Sequence, residues 1–397
     1  MKKILLSLVL LLAAVAASAA DTTRSAVSAL SLDLRPGYVF PTNPFFRGEN
    51  TKATPIEGTG AAHLQYSFRF SRDSKYGRLY PHAYQGIGLA WNTFFNNSEM
   101  GTPVAVYAFQ GSRIVSLSPR LSLDYEWNFG ASFGWKKYDD YDNPWNVVVG
   151  SRANAYLNFG LLLNYRLDKR WNLVAGVDVA HYSNGNTSFP NAGVNTIGAR
   201  LGAVYNFGRQ PEFSGAGESI SPHIVYDLIL FGSLRKKGFW DETESFVDGT
   251  FSSDERYLVP GRFAVAGFNF NPIYRFNKYF GAGVSLDAKY DESANIGRYL
   301  VPGTLGDNPK FYRPPFDEQF AVGLSLRGEL TMPIFSINIG IGHNVYYKGA
   351  DWKGWYQIVA LKTFVTRNLF LHVGYQLSDF KDPSYLMLGV GWRFNAR

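Results

Sequence analysis

The chain has 397 residues, 46% of them hydrophobic, 16% aromatic and 18% charged, with no cysteine. An aromatic, charge-poor composition excludes intrinsic disorder, and the lack of thiols excludes a disulfide scaffold or a thiolate metal site. The formal charge of +7 is small and scattered; it gives no sign of a nucleic-acid partner and fits contact with an anionic surface such as a phosphorylated glycolipid.

The first segment is a leader pattern. Lys2 and Lys3 precede an apolar stretch over 4–15, and Ala17-Ser18-Ala19-Ala20 supplies the small residues a signal peptidase accepts. The stretch is too short to span a bilayer, which takes about 20 apolar residues. Residues 1–20 are therefore expected to be a cleaved signal peptide, and 21–397 a single exported β-barrel domain.

From there the side-chain period is two almost throughout. Strands are predicted near 30–40, 62–71, 85–94, 103–115, 121–135, 152–166, 171–183, 194–207, 223–235, 262–275, 280–290, 319–331, 334–347, 355–365, 369–377 and 385–394. The pattern is clearest over 121–135, where Leu121, Leu123, Tyr125, Trp127, Phe129, Ala131, Phe133 and Trp135 alternate with Ser122, Asp124, Glu126, Asn128, Gly130, Ser132 and Gly134. A soluble sandwich also alternates, so the chemistry of the faces decides. Bulky aromatics on one face suit lipid, and Gly, Asn, Arg and Asp on the other suit a hydrogen-bonded lumen. Closure into a barrel satisfies backbone groups in lipid without leaving an edge.

Connection lengths agree. Ser118-Pro119-Arg120, Asp168-Lys169-Arg170, Asn277-Lys278, Met332-Pro333 and Arg367-Asn368 are tight, whereas 236–261 and 291–318 are long. Short turns at one end and long loops at the other is how bacterial outer-membrane barrels are built, with the short end periplasmic. The expected fold is all-β: a transmembrane, antiparallel, up-and-down barrel of about 16 strands, with 14 as the alternative count.

Of the six histidines, only His181 has a Ser or Thr two positions later, Ser183. Strand positions i and i+2 share a face about 7 Å apart, within reach of an imidazole acting as base toward a serine nucleophile. On strand 171–183 this pair continues the apolar row Trp171, Leu173, Ala175, Val177 and Val179, and so points at lipid near the long-loop end. A hairpin centred near Ser188 places Asn195 across from His181, where its carbonyl would orient the ring. Such a short motif at a barrel rim is usually an interfacial polar residue; its surface placement and the Asn partner shift that balance only moderately toward chemistry.

The segment His181-Tyr182-Ser183-Asn184-Gly185, followed by Pro190-Asn191-Ala192-Gly193-Val194-Asn195, resembles the outer-membrane lipid A deacylases called PagL (acyloxyacyl hydrolases), smaller eight-stranded barrels with a His-x-Ser-Asn motif and a Glu twelve residues after the serine. The resemblance implies a cofactor-free ester hydrolase acting on lipid A, with Ser183 as nucleophile, His181 as general base, and Asn184 with Gly185 at the oxyanion site. Twelve residues after Ser183 this chain has Asn195 in place of the Glu, and a neutral amide stabilises an imidazolium less than a carboxylate. Loss of the carboxylate costs about 10⁴ in rate in a serine-protease triad, part of it through the wrong tautomer. The resemblance covers about 28–208; residues 209–397 read as additional strands of the same barrel.

In that second part Arg256-Tyr257-Leu258-Val259-Pro260-Gly261 recurs as Arg298-Tyr299-Leu300-Val301-Pro302-Gly303, read as a shared turn into the next strand. The favoured function is an outer-membrane esterase that removes an ester-linked acyl chain from lipid A. The runner-up is a channel, since a 16-strand barrel is wide enough for a lumen that Arg152, Arg166, Arg200, Arg393 and Asp124 would line or seal. A glycan-binding outer-membrane protein with Trp- and Tyr-rich loops is the third reading.

Overall fold

Two rings of eight antiparallel strands account for nearly all of the regular structure in the computed structural model. It describes residues 27–208, 217–241, 246–247, 250–251, 255–301, 309–380 and 382–396. The expected signal peptide lies outside the described residues. Ring one contains β1 (Ser28–Val39), β2 (Gly58–Phe68), β3 (Ala83–Thr93), β4 (Gly101–Ser116), β5 (Leu121–Trp135), β6 (Ala153–Arg166), β7 (Trp171–Ser183) and β8 (Val194–Asn206). β9 (His223–Arg235) opens ring two. The short strands β10 (Gly238–Asp241), β11 (Phe246–Val247), β12 (Thr250–Phe251) and β13 (Glu255–Leu258) form two small hairpin sheets in the next loop. Ring two continues with β14 (Phe263–Arg275), β15 (Phe280–Asp291), β16 (Phe320–Thr331), β17 (Phe335–Tyr346), β18 (Trp355–Phe364), β19 (Leu369–Ser378) and β20 (Asp382–Phe394). Among the described residues no helix is long and apolar enough to cross a membrane.

The all-β barrel class and the positions of the long strands agree with the sequence, but the single wide barrel does not. β1 pairs with both β2 and β8, in the register Asp33↔His63 and Asp33↔Gly202. β9 closes the second ring by pairing with β14 and β20. The physical reason is that both edges of β8 are already used, one by β7 and the other by β1, so β9 finds no free edge there and starts a ring of its own. The repeat is also read differently. Its first copy runs through β13 toward β14, whereas the second begins in a 3-10 turn, Ile296–Tyr299, far from β16. Pro302 and Gly303 lie outside the described residues.

Eight strands enclose only enough room for side chains, and both lumens are filled. In ring one Arg35 contacts Asp33 at 2.6 Å and Asp178 at 3.0 Å, and Arg200 contacts Glu126 at 2.7 Å and Asp33 at 3.1 Å. Tyr107, Tyr156, Tyr182, Trp135 and Phe94 pack above them in one buried cluster. In ring two Asp227 and Glu329 hold Lys362 and Arg393 at 2.5–2.7 Å. A second network ties Asp287 to Ser285, Ser325, Arg327 and Tyr356. Arg200 and Arg393 thus cross-pair, and Asp124 accepts from Ser122 and Asn164. Arg152 is exposed in the loop before β6, and Arg166 ends that strand, bonded to Pro119 O. Among the described residues the strands close into two eight-strand rings and not into the wide lumen on which the channel reading rested.

The rings touch along their outer faces. On β5, Phe129 and Ala131 are buried against Phe335 and Leu361 of ring two, with the Phe129 and Phe335 rings 6.1 Å apart. The same row on β6 stays open, with Leu157, Leu161 and Leu163 exposed. At the short-turn end Tyr80 Oη donates to Lys278 O (2.6 Å), and Lys278 Nζ donates to Leu79 O (2.7 Å) and Glu218 O (2.9 Å).

Candidate active site

The long-loop end of the β7–β8 hairpin carries the residues singled out from the sequence. Alternation along β7 places Val177 and Val179 on the exposed face, buried Asp178 and Tyr182 in the lumen, and half-buried His181 and Ser183 on the exposed row. β8 runs antiparallel with His181 directly opposite Asn195, which occupies the matching outward row beside Ile197. His181 and Asn195 are thereby brought together across the sheet: Nδ1 and Oδ1 are 2.7 Å apart. An amide oxygen only accepts, so Nδ1 carries the proton and donates, and Nε2 keeps its lone pair.

Among the described residues no hydrogen bond joins Ser183 Oγ to the imidazole in this conformation. Catalytic contacts are often long before substrate binds. Their proximity is nevertheless recorded at Gly193 (φ 76°). A Cβ there would lie 3.1 Å from His181 Cε1 and 3.6 Å from Ser183 Cβ. Gly193 therefore floors the space under both side chains, and its left-handed backbone also favours glycine.

After Ser183 the chain turns sharply through Gly185 (φ 63°) and Asn186 (φ 60°), two successive left-handed residues as in a tight hairpin turn. Asn184 is buried and holds that turn closed. Its N–H donates to Asn191 Oδ1 (2.9 Å), its Nδ2 donates to Ser188 O (3.0 Å), and its Oδ1 accepts from Ser188 N (3.2 Å). Thr187 Oγ1 donates to Asn184 O at 2.8 Å. The Asn184 amide is thus occupied in the turn, whereas the Gly185 N–H has no partner among the described residues.

Four of the other five histidines lack this arrangement. His63 is in the lumen, 2.7 Å from Tyr107 Oη, and His372 is buried in the other lumen. His223 contacts Ser221 O at 2.9 Å. His343 also faces outward, but its cross-strand neighbours are Leu324 and Trp355.

Ring two borders this hairpin, a contact without any sequence signal. Leu386 of β20 lies against Gly185, where an added Cβ would come within 3.2 Å of its side chain. Asn186 Nδ2 donates to Ser384 O (3.0 Å), and Lys236 N–H donates to Thr187 O (3.2 Å). Gly193 had a weak sequence signal, a glycine just before a strand; the ring-two contacts join segments remote in sequence and had none.

Residues 60–204, most of ring one, match the family described as lipid A 3-O-deacylase (PagL), and residues 224–396, nearly all of ring two, match the acyloxyacyl hydrolase C-terminal domain. The chain belongs to the lipid A deacylase family. The family places it in the cell outer membrane as a hydrolase with lipid A as its substrate. No curated protein matches the chain.

Solved outer-membrane barrels are only distantly similar. The siderophore receptor PirA from Acinetobacter baumannii is 8% identical, with 88% of this chain and 68% of that one covered at a TM-score of 0.23. The outer membrane protein Omp33 from the same organism is 9% identical, with 93% and 98% covered and a TM-score of 0.14.

Proposed function

We propose that the protein is a serine esterase that removes an ester-linked acyl chain from lipid A in the outer leaflet. The observation that supports this reading best is the outward-facing His181–Asn195 hydrogen bond, with Ser183 two residues along the same face. Ser183 Oγ attacks the ester carbonyl carbon while His181 Nε2 takes the hydroxyl proton. The C–O bond to the sugar then breaks, and His181 returns that proton to the leaving sugar oxygen. A water molecule, deprotonated by the same imidazole, hydrolyses the acyl-serine and releases the fatty acid. Asn195 holds the imidazole in the Nδ1–H tautomer. Gly185 N–H stabilises the tetrahedral oxyanion, and Asn184 acts by fixing the turn that presents it.

Ser183→Ala is expected to lower deacylation by about 10³-fold or more. Mass spectrometry of lipid A from cells carrying wild type or variant reads this out: wild type loses one ester-linked chain, the variant leaves the mass unchanged. Chain loss at the wild-type rate in the variant would overturn the nucleophile assignment.

A further inference from the structure

Three consecutive cations, Arg235, Lys236 and Lys237, leave the top of β9 beside the β7–β8 hairpin. Two of them are engaged within ring two: Arg235 pairs with Asp291 at 3.0 Å, and Lys237 with Asp351 at 2.8 Å. Lys236 differs from both. Its backbone N–H donates to Thr187 O, and Thr187 Oγ1 donates to the carbonyl of Asn184, the residue after Ser183. Its side chain is exposed and has no ion pair or hydrogen bond among the described residues. The hairpin connection itself, residues 184–193, contains no charged residue. Any charge that meets a lipid headgroup here must come from a neighbouring element.

We propose that Lys236 is a headgroup-binding residue delivered by the second barrel, and that it pairs with a phosphate of the lipid whose ester Ser183 attacks. The proposal rests on the esterase reading and adds a substrate determinant to it. A lysine ammonium binds phosphate as a point charge on a flexible stem, which suits an exposed site where the lipid arrives laterally. Binding is then divided between the barrels: ring one supplies the reacting groups, and ring two supplies a charge that selects phosphorylated glycolipid.

The test uses the full chain purified in detergent, with bis-phosphorylated lipid A and the same lipid A after phosphatase treatment as probes. Binding is measured in the Ser183→Ala background, so the outcome does not depend on turnover. Lys236→Ala is expected to weaken binding of the phosphorylated lipid by about five- to tenfold, in the range of one charge-assisted contact. It should leave the dephosphorylated lipid unaffected, and Lys236→Arg should restore the preference. In the Ser183-containing protein, the same substitution should raise KM for phosphorylated lipid with kcat unchanged. Equal weakening for both lipids, or none for either, overturns the headgroup role. That outcome is separate from failure of the esterase reading, which would appear as undiminished deacylation by Ser183→Ala.

Discussion

The two barrels end corresponding hairpins in similar backbone but opposite chemistry. In ring one, β7 finishes with His181 and Ser183 on the outward row, followed by left-handed Gly185 and Asn186. In ring two, β19 finishes with Gln376 and Ser378, followed by left-handed Asp379 (φ 50°) and Phe380 (φ 63°). Gln376 and Ser378 are buried in the lumen, however. Gln376 Oε1 accepts from Tyr385 Oη (2.8 Å) and Lys289 Nζ (3.2 Å), and Ser378 contacts Ser384 at 2.9 Å. Side-chain parity decides which hairpin presents groups to lipid, because moving a residue by one strand position moves it to the other face. Ring two has kept the scaffold and supports the site from its flank.

This contrast can be broken most forcefully in the lumen of ring two. Glu329→Gln removes one carboxylate from a cluster in which Lys362 and Arg393 stay buried, and an uncompensated buried charge costs about 3–5 kcal/mol. Calorimetry of the purified protein should show a large drop in the melting transition of ring two. The His181–Asn195 hydrogen bond lies outside that lumen, so deacylation by molecules still folded should persist. Complete loss of activity in the folded fraction would mean that the barrels are not separable in this way.

A smaller effect sharpens the ring-one side. Asn195→Ala leaves the imidazole without the acceptor that fixes its tautomer, and kcat is expected to fall by about 10- to 100-fold, less than for losing a carboxylate. Turnover against lipid A concentration checks it, with KM little changed. The smallest expected effect concerns the loops of ring two. Burial raises the Asp351 pKa, but Lys237 and the Asn295 N–H outweigh it and hold the carboxyl below its usual value. A depressed folded-state pKa contributes stability above the unfolded value, about 3.9, that is lost as pH falls through the folded one. Asp351→Asn should therefore cost about 0.5 kcal/mol at pH 7, screened as a partly exposed pair. The difference in melting temperature from wild type should narrow toward pH 3.

Strand parity was legible because one face meets lipid and the other a packed lumen. The limits 121–135, 171–183 and 223–235 coincide with β5, β7 and β9, and counting along the hairpin was enough to set Asn195 against His181. Ring size was not legible, because an eight-strand and a sixteen-strand barrel impose the same alternation on each strand. The row Tyr125, Trp127, Phe129 and Ala131 reads as lipid-facing, and protein covers much of it only because ring two docks there. The charge of Asp124 and Arg200 pointed to a polar interior but not to its being shut. Asn184 shows how far a motif reaches: the sequence places it directly after Ser183, and its amide is committed to the turn.

The seam between the rings also gives the reaction a direction. Ser384 and Leu386 close the flank of the turn at Asn186 and Gly185, while Val179, Ile197 and, on β6, Leu157 stay bare; under the proposed esterase reading a diffusing glycolipid approaches Ser183 along those bare rows. On that reading the scissile tail would lie along the same rows, and the freed fatty acid would leave into the lipid from which the substrate came.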